Sequence, residues 1–265
     1  MTISTAPVRV IEETPAYWRV VFDSPPFNMV DTTIFAGLQD LLARMDTSPS
    51  LRVVVFESAN PDFYLAHFDL TGKTGNITTT VGPSGLPILM DTFVRLTKSQ
   101  VVSIAKIRGC VRGVSSEFVL ACDMRFASRE NTRLGQPEVG VGVNPGGGAA
   151  ERLPLLVGRG RALEIILTGR KVPAEEALRI GMCEYVVPHG TARAKAEALA
   201  MEIARFPQQC VRADRASVYR QQGLSLMDGL RGEFAGSLPV VRAESVMGAG
   251  RFAGGKGRHG DFREI

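Results

Sequence analysis

The sequence has no run of apolar residues long enough to cross a bilayer. Stretches such as residues 53–56 and 86–90 fall far short of the roughly 20 residues that a spanning helix needs. No hydrophobic segment follows a basic one near the start, and Glu12 and Glu13 stand where a signal peptide would be apolar, so a cytoplasmic location is expected. Cysteine is sparse. Cys110, Cys122, Cys183 and Cys210 lie far apart with no CxxC pair, which argues against a disulfide framework and leads us to expect four buried, reduced thiols. Histidine is sparser still: His67, His189 and His259 are too scattered to support a metal site or a catalytic triad. There is no Walker loop and no GxSxG elbow, and Gly140 and Gly142 lack the third glycine of a dinucleotide fingerprint because position 145 is proline. Neither sign of charge dominates. With 31 Lys and Arg against 27 Asp and Glu the net charge is +4, spread along the chain except for an Arg/Lys/Gly-rich tail over residues 251–263; so mild an excess suits an anionic ligand without demanding one. What is left for chemistry is carboxylates and backbone amides.

What is present is an ordinary globular composition, 45% hydrophobic and 22% charged over 265 residues, enough for one large domain or a domain with a helical extension. Residues 8–11, 17–22 and 51–57 are Val- and aromatic-rich and bounded by turn formers, which predicts strands. Between the last two, Asp31 is placed to cap a helix whose apolar positions Ile34, Leu38, Leu41, Leu42 and Met45 follow three/four spacing. The alternation predicts an α/β domain. A Gly/Thr-rich stretch, 71–85, predicts a mobile surface loop, followed by an amphipathic helix over 86–97 and a strand over 101–107. Residues 114–122 are almost wholly apolar and predict a buried helix. Strands at 124–127 and 133–134 lead into a glycine-rich loop, 140–148, after which the pattern is mainly helical, with one short strand at 185–187 and helices near 192–205 and 208–221.

Two carboxylates stand in unusual surroundings. Val114, Glu117, Phe118 and Ala121 share one helical face, so Glu117 sits amid apolar neighbours. It is either a desolvated, proton-exchanging group or a structural carboxylate paired with a buried arginine. Glu138, directly before the glycine loop, is either a second such group or a solvated charge. Asp123 reads as structural, and His67 as a site residue or a packed polar side chain.

The order Ile104-Ala105, Gly109, Gly113, Glu117, Ala121-Cys122-Asp123, then Gly135-Gln136-Pro137-Glu138 and Pro145-Gly146-Gly147-Gly148, resembles the crotonase family of enoyl-CoA hydratases and isomerases. Leu167-Thr168-Gly169 and residues 174–181 continue the resemblance, which covers about residues 17–188. It implies an α/β fold, a crotonase-like spiral of ββα turns over 1–200, and a C-terminal helical trimerisation region over 201–265, with trimers often paired as hexamers. The shared chemistry is an enolate of a CoA thioester held by two backbone N–H groups, which here would belong to Phe68 and Val114. Carried over in the same way, Glu117 would deprotonate water for attack at Cβ and Glu138 would protonate Cα. Possession of both carboxylates points to hydration, since isomerases of the family usually keep only the second. Residues Ala66, His67, Phe68, Asp69, Leu70 and Val114 would contact the acyl-CoA substrate; no metal or redox cofactor is implied, CoA being part of the substrate.

The chain departs from the family pattern at Ala66-His67-Phe68-Asp69, where small residues are usual, at Gly113-Val114-Ser115, where glycines run on, at Arg108 before Gly109, and at Val102 in place of proline. Isomerisation, another CoA-thioester hydrolase or lyase reaction, and a catalytically silent binding relative therefore stand as alternatives. The tail holds only Phe252 and Phe262 among its basic residues, which speaks against nucleic-acid binding.

Overall fold

The computed structural model describes residues 6–257 apart from 73 and 189, together with 260 and 262, and only the backbone at 242 and 243. His189, His259 and the last basic residues of the tail, Arg258 and Arg263, lie outside the described residues. Two compact units emerge, Met1–Ala200 and Met201–Ile265. Among the described residues no helix is long and apolar enough to cross a membrane.

The first unit begins with the antiparallel pair β1 (Val8–Thr14) and β2 (Tyr17–Phe22) and the helix α1 (Thr32–Thr47). The Asp31 side chain accepts the N–H groups of Thr33 and Ile34, supplying the cap expected from the sequence, a feature typically worth about 1 kcal/mol. The apolar stripe of α1, including Ile34, Leu38, Leu41, Leu42 and Met45, is buried. The chain then repeats one path. It lays a strand in a large sheet, crosses to lay the next in a small sheet, and returns through a helix: β3 (Val53–Ser58), β4 (Phe63–Leu65) and α2 (Ile88–Lys98), then β5 (Val102–Ile107), β6 (Cys110–Arg112) and α3 (Val114–Ala121). β7 (Met124–Ser128) and β8 (Arg133–Gly135) begin a third turn, which proceeds through a short 3-10 turn, Glu138–Val141, to α4 (Ala149–Val157) and α5 (Arg159–Thr168). After β9 (Val172–Pro173) and α6 (Ala174–Arg179), β10 (Tyr185–Val187) closes the large sheet, whose order is β1-β2-β3-β5-β7-β10; the small sheet runs β4-β6-β8-β9. This is the spiral of ββα turns implied by the resemblance. From β2 to β10 the large sheet is parallel, and β3 is buried along its whole length, as the inner strands of parallel sheets are.

An aromatic cluster fixes α3. The Phe118 ring lies 5.0 Å from Phe56, 5.5 Å from Phe22 and 6.0 Å from Phe93, each near edge-on. On the large sheet, buried Glu57 accepts hydrogen bonds from Arg19 and Lys106, each at 2.8 Å, and from Arg193 at 2.5 Å. Arg193 belongs to α7 (Ala192–Arg205), so one carboxylate ties three strands and a helix together. Burial pushes that carboxyl up, and the hydrogen bonds and charges of Lys106, Arg193 and Arg19 more than offset this and hold it below the ordinary range.

Residues 201–265 include α8 (Gln208–Arg220) and a long α9 (Leu226–Ala253). Arg220 donates to the carbonyl of Gly232, and Glu244 accepts the N–H groups of Gln209 and Cys210 at 3.0 and 2.8 Å, so the two helices pair side by side.

Among its described residues, which leave out 73, the stretch 71–85 is the surface loop expected, running through turns and burying only Ile77. Other expectations need correction. Cys122 and Cys183 are buried free thiols, whereas Cys110 and Cys210 are half-buried; Cys210 sits in the first turn of α8, its sulfur 3.6 Å from Asp214. Strands β4, β6 and β9 were not foreseen, and α9 only as part of a helical C-terminal region.

Candidate active site

α3 starts at a backbone position that only glycine occupies easily: Gly113 has φ of 59°, and a Cβ there would stand 2.8 Å from a carboxylate oxygen of Glu138. Val114, the first residue of α3, carries an N–H with no partner inside the helix. The second expected amide is placed from a distance. Val30 donates to the carbonyl of His67 at 3.0 Å and accepts from the N–H of Asp69 at 3.1 Å, so the intervening N–H of Phe68 faces the other way. Asn28 secures that loop. Its carbonyl accepts from Ala66, and its side-chain amide donates to Ser58, 2.8 Å away, and to the carbonyls of Phe22 and Tyr64, each at 3.2 Å. Asn28 itself adopts φ of 56°, a conformation that asparagine tolerates better than most side chains.

Phe68 and Val114 line a mostly apolar cavity of about 450 Å³ together with Glu117 and Glu138. Glu117 is 2% exposed, and its Oε1 accepts the N–H groups of Gly147 at 2.7 Å and Ala149 at 3.1 Å. Burial pushes its carboxyl above the ordinary range despite these amides and the charge of Arg152. The hydrogen bonds that hold Glu117 come from the glycine loop, and a Cβ on Gly147 would lie 2.6 Å from Glu117 Oε2. Arg152 in turn donates to the carbonyl of Gly147 at 3.1 Å.

Glu138 is half-buried, with Oε2 buried and free of any hydrogen-bond partner. Burial, with a further push from the charge of Glu117, raises its carboxyl to about 7, its own backbone N–H opposing. It is therefore not a solvated loop charge. Asp123 accepts from the N–H and hydroxyl of Ser103, the structural role expected of it.

The other expected contact residues divide. His67 and Leu70 are exposed and line the cavity; His67 is not packed into the fold, and its Nδ1 lies 2.8 Å from the carbonyl oxygen of Phe68. Ala66 and Asp69 are buried away from the cavity wall, Asp69 turning back to accept from the N–H and hydroxyl of Thr71. Sequence reasoning missed Asn28 and Arg112, and it read Gly147 only as part of the glycine-rich motif, not as an anchor of Glu117. Among the described residues no three His, Cys, Asp or Glu side chains gather as metal ligands would.

A family model described as enoyl-CoA hydratase/isomerase matches residues 14–241. The chain belongs to this family. Among the relatives of this hydratase/isomerase family member, YngF of Bacillus subtilis (strain 168) is 32% identical over 203 residues, 77% of each protein. The crystal structure of an enoyl-CoA hydratase from Bacillus anthracis superposes with a TM-score of 0.85 at 27% identity, over 93% of this chain and 96% of that one. DspI of Pseudomonas aeruginosa does so with a TM-score of 0.74 at 30% identity, over 92% and 89%.

Proposed function

We propose that this chain adds water across the 2,3 double bond of an enoyl-CoA thioester. The carrying observation is that two carboxylates of raised proton affinity meet in one apolar cavity whose wall also includes Phe68 and Val114. In this reading the thioester oxygen accepts the two backbone N–H groups, with the N-terminal end of α3 adding its dipole. Glu117, anchored through Oε1, takes a proton from water through Oε2 as the water oxygen bonds to Cβ. The π electrons move onto the thioester oxygen as an enolate. Glu138, protonated near neutral pH, delivers its proton to Cα as the enolate collapses. One hydrogen and one hydroxyl have been added, and solvent exchange returns the proton from Glu117 to Glu138.

A second reading rests on Glu138 alone. A carboxyl that titrates at about 7 suits moving a proton from C2 to C4 of a 3-enoyl-CoA, which is isomerisation and needs no activated water. The test follows the loss of conjugated-thioester ultraviolet absorbance with short, long and aromatic 2-enoyl-CoAs. Hydration predicts turnover that Glu117→Gln and Glu138→Gln each lower by about 10²- to 10⁴-fold. Turnover of 3-enoyl-CoAs that survives Glu117→Gln, with no hydration in the parent, would replace hydration by isomerisation. We also propose that the working form is a homotrimer or hexamer.

A further inference from the structure

Arg112 is the one arginine or lysine among the described residues lining the cavity. Its guanidinium lies over the Phe63 ring, 5.4 Å from the centroid, and Phe63 in turn meets Phe27 edge-on at 5.9 Å. The Nε of Arg112 is buried and has no hydrogen-bond partner, and among the described residues no carboxylate pairs with the side chain. Besides burial, the groups that act most on the Glu138 carboxyl are its own backbone N–H and Glu117. A permanently charged fork is thus held on an aromatic ring at the edge of an apolar cavity with its donors unused. In such surroundings an unpaired charge is costly to keep, and a charge-assisted, bidentate contact with an oxyanion is stronger than it would be in water.

We infer that Arg112 binds an anionic group of the substrate, a carboxylate or a phosphate, and is a specificity-determining residue of the cavity. The inference rests on the acyl-thioester reading above. Both anions offer paired oxygens to the guanidinium fork, and they lie at different ends of the substrate: a carboxylate would be carried on the acyl chain, a phosphate on the carrier.

The test measures binding rather than turnover, by titration calorimetry with three saturated, unreactive thioesters: valeryl-CoA, glutaryl-CoA and valeryl-pantetheine, the last without phosphates. If the anion is a phosphate, Arg112→Gln weakens both CoA thioesters equally, by about tenfold or more, and leaves the pantetheine thioester unchanged. If it is an acyl carboxylate, only glutaryl-CoA weakens. Arg112→Lys, which keeps the charge and the aliphatic stem over Phe63, recovers part of either loss and guards against a folding defect in the glutamine variant. Equal effects on all three thioesters, or none, overturn the inference while leaving the thioester site standing. Failure of the unsubstituted protein to bind any of the three overturns the thioester reading itself and this inference with it.

Discussion

Glu138 accepts a proton in the folded chain at about 7 instead of the ordinary 4.5 because its carboxylate is desolvated and faces the charge of Glu117. That displacement has a cost in stability with a definite pH window. In the unfolded chain the group loses its proton around 4.5 and in the folded chain around 7, so between these values the folded state holds the extra proton. The contribution of Glu138 to stability is therefore complete below 4.5, declines as pH rises, and is lost above 7. Glutamine cannot ionise and keeps its contribution throughout. Melting temperatures of Glu138→Gln and the parent should be close below 4.5, and the variant should gain on the parent as pH rises, levelling off above 7. A difference that stays constant across that window would show that Glu138 ionises as an ordinary surface carboxylate. The same substitution removes the proposed proton donor, so stability and activity should move in opposite directions.

At the scale of elements, the Glu57 cluster joins β2, β3 and β5 to α7 through Arg19, Lys106 and Arg193. Glu57 is almost wholly enclosed, and its replacement by glutamine would leave three cations around a neutral amide. Breaking a buried ion pair by removing one partner typically costs about 3–5 kcal/mol, and the loss here should fall toward the lower end because Arg193 is half exposed. Urea unfolding of Glu57→Gln at neutral pH measures it. The Glu57 carboxyl is held below its ordinary range, so its stabilisation is present above the unfolded value and lost as pH falls through the folded one, and the gap between variant and parent should shrink on acidification. Neither this cluster nor its register could be read from sequence, because Arg19, Glu57, Lys106 and Arg193 are spread over most of the chain and meet only through strand pairing. Local signals fared better. Asp31 and the stripe of α1 specify a capped amphipathic helix within sixteen residues, and the apolar surroundings of Glu117 announced a buried helix. The site was half legible for the same reason. Glu117 stood out by its own neighbours, but the burial of Glu138 depends on a cavity closed by distant loops, and the direction of the Phe68 N–H depends on Asn28 and Val30, some forty residues earlier. The two-residue β9 is too short to leave a pattern.

At the scale of the whole molecule, α9 is the least predictable element and the one that asks for a partner. Gly229, Gly232, Gly236 and Pro239 all weaken a helix, and yet it runs for 28 residues. Its apolar side chains do not form one buried stripe. Leu226, Phe234, Val241 and Val246 are between 56% and 78% exposed, and pairing with α8 leaves them uncovered. A chain that keeps so much apolar surface in water gains free energy by covering it, and further copies of the same chain are the occupant that the crotonase resemblance supplies, closing on themselves by symmetry. Sedimentation equilibrium should then return three or six times the 28.6 kDa of one chain. Phe234→Asp should lower that mass toward one chain while the circular dichroism of the folded protein is retained, because the substituted side chain is exposed within its own unit. A single-chain mass for the parent at every concentration tested would mean that α9 stands uncovered in solution, and the assembly inferred from the family would fail for this member.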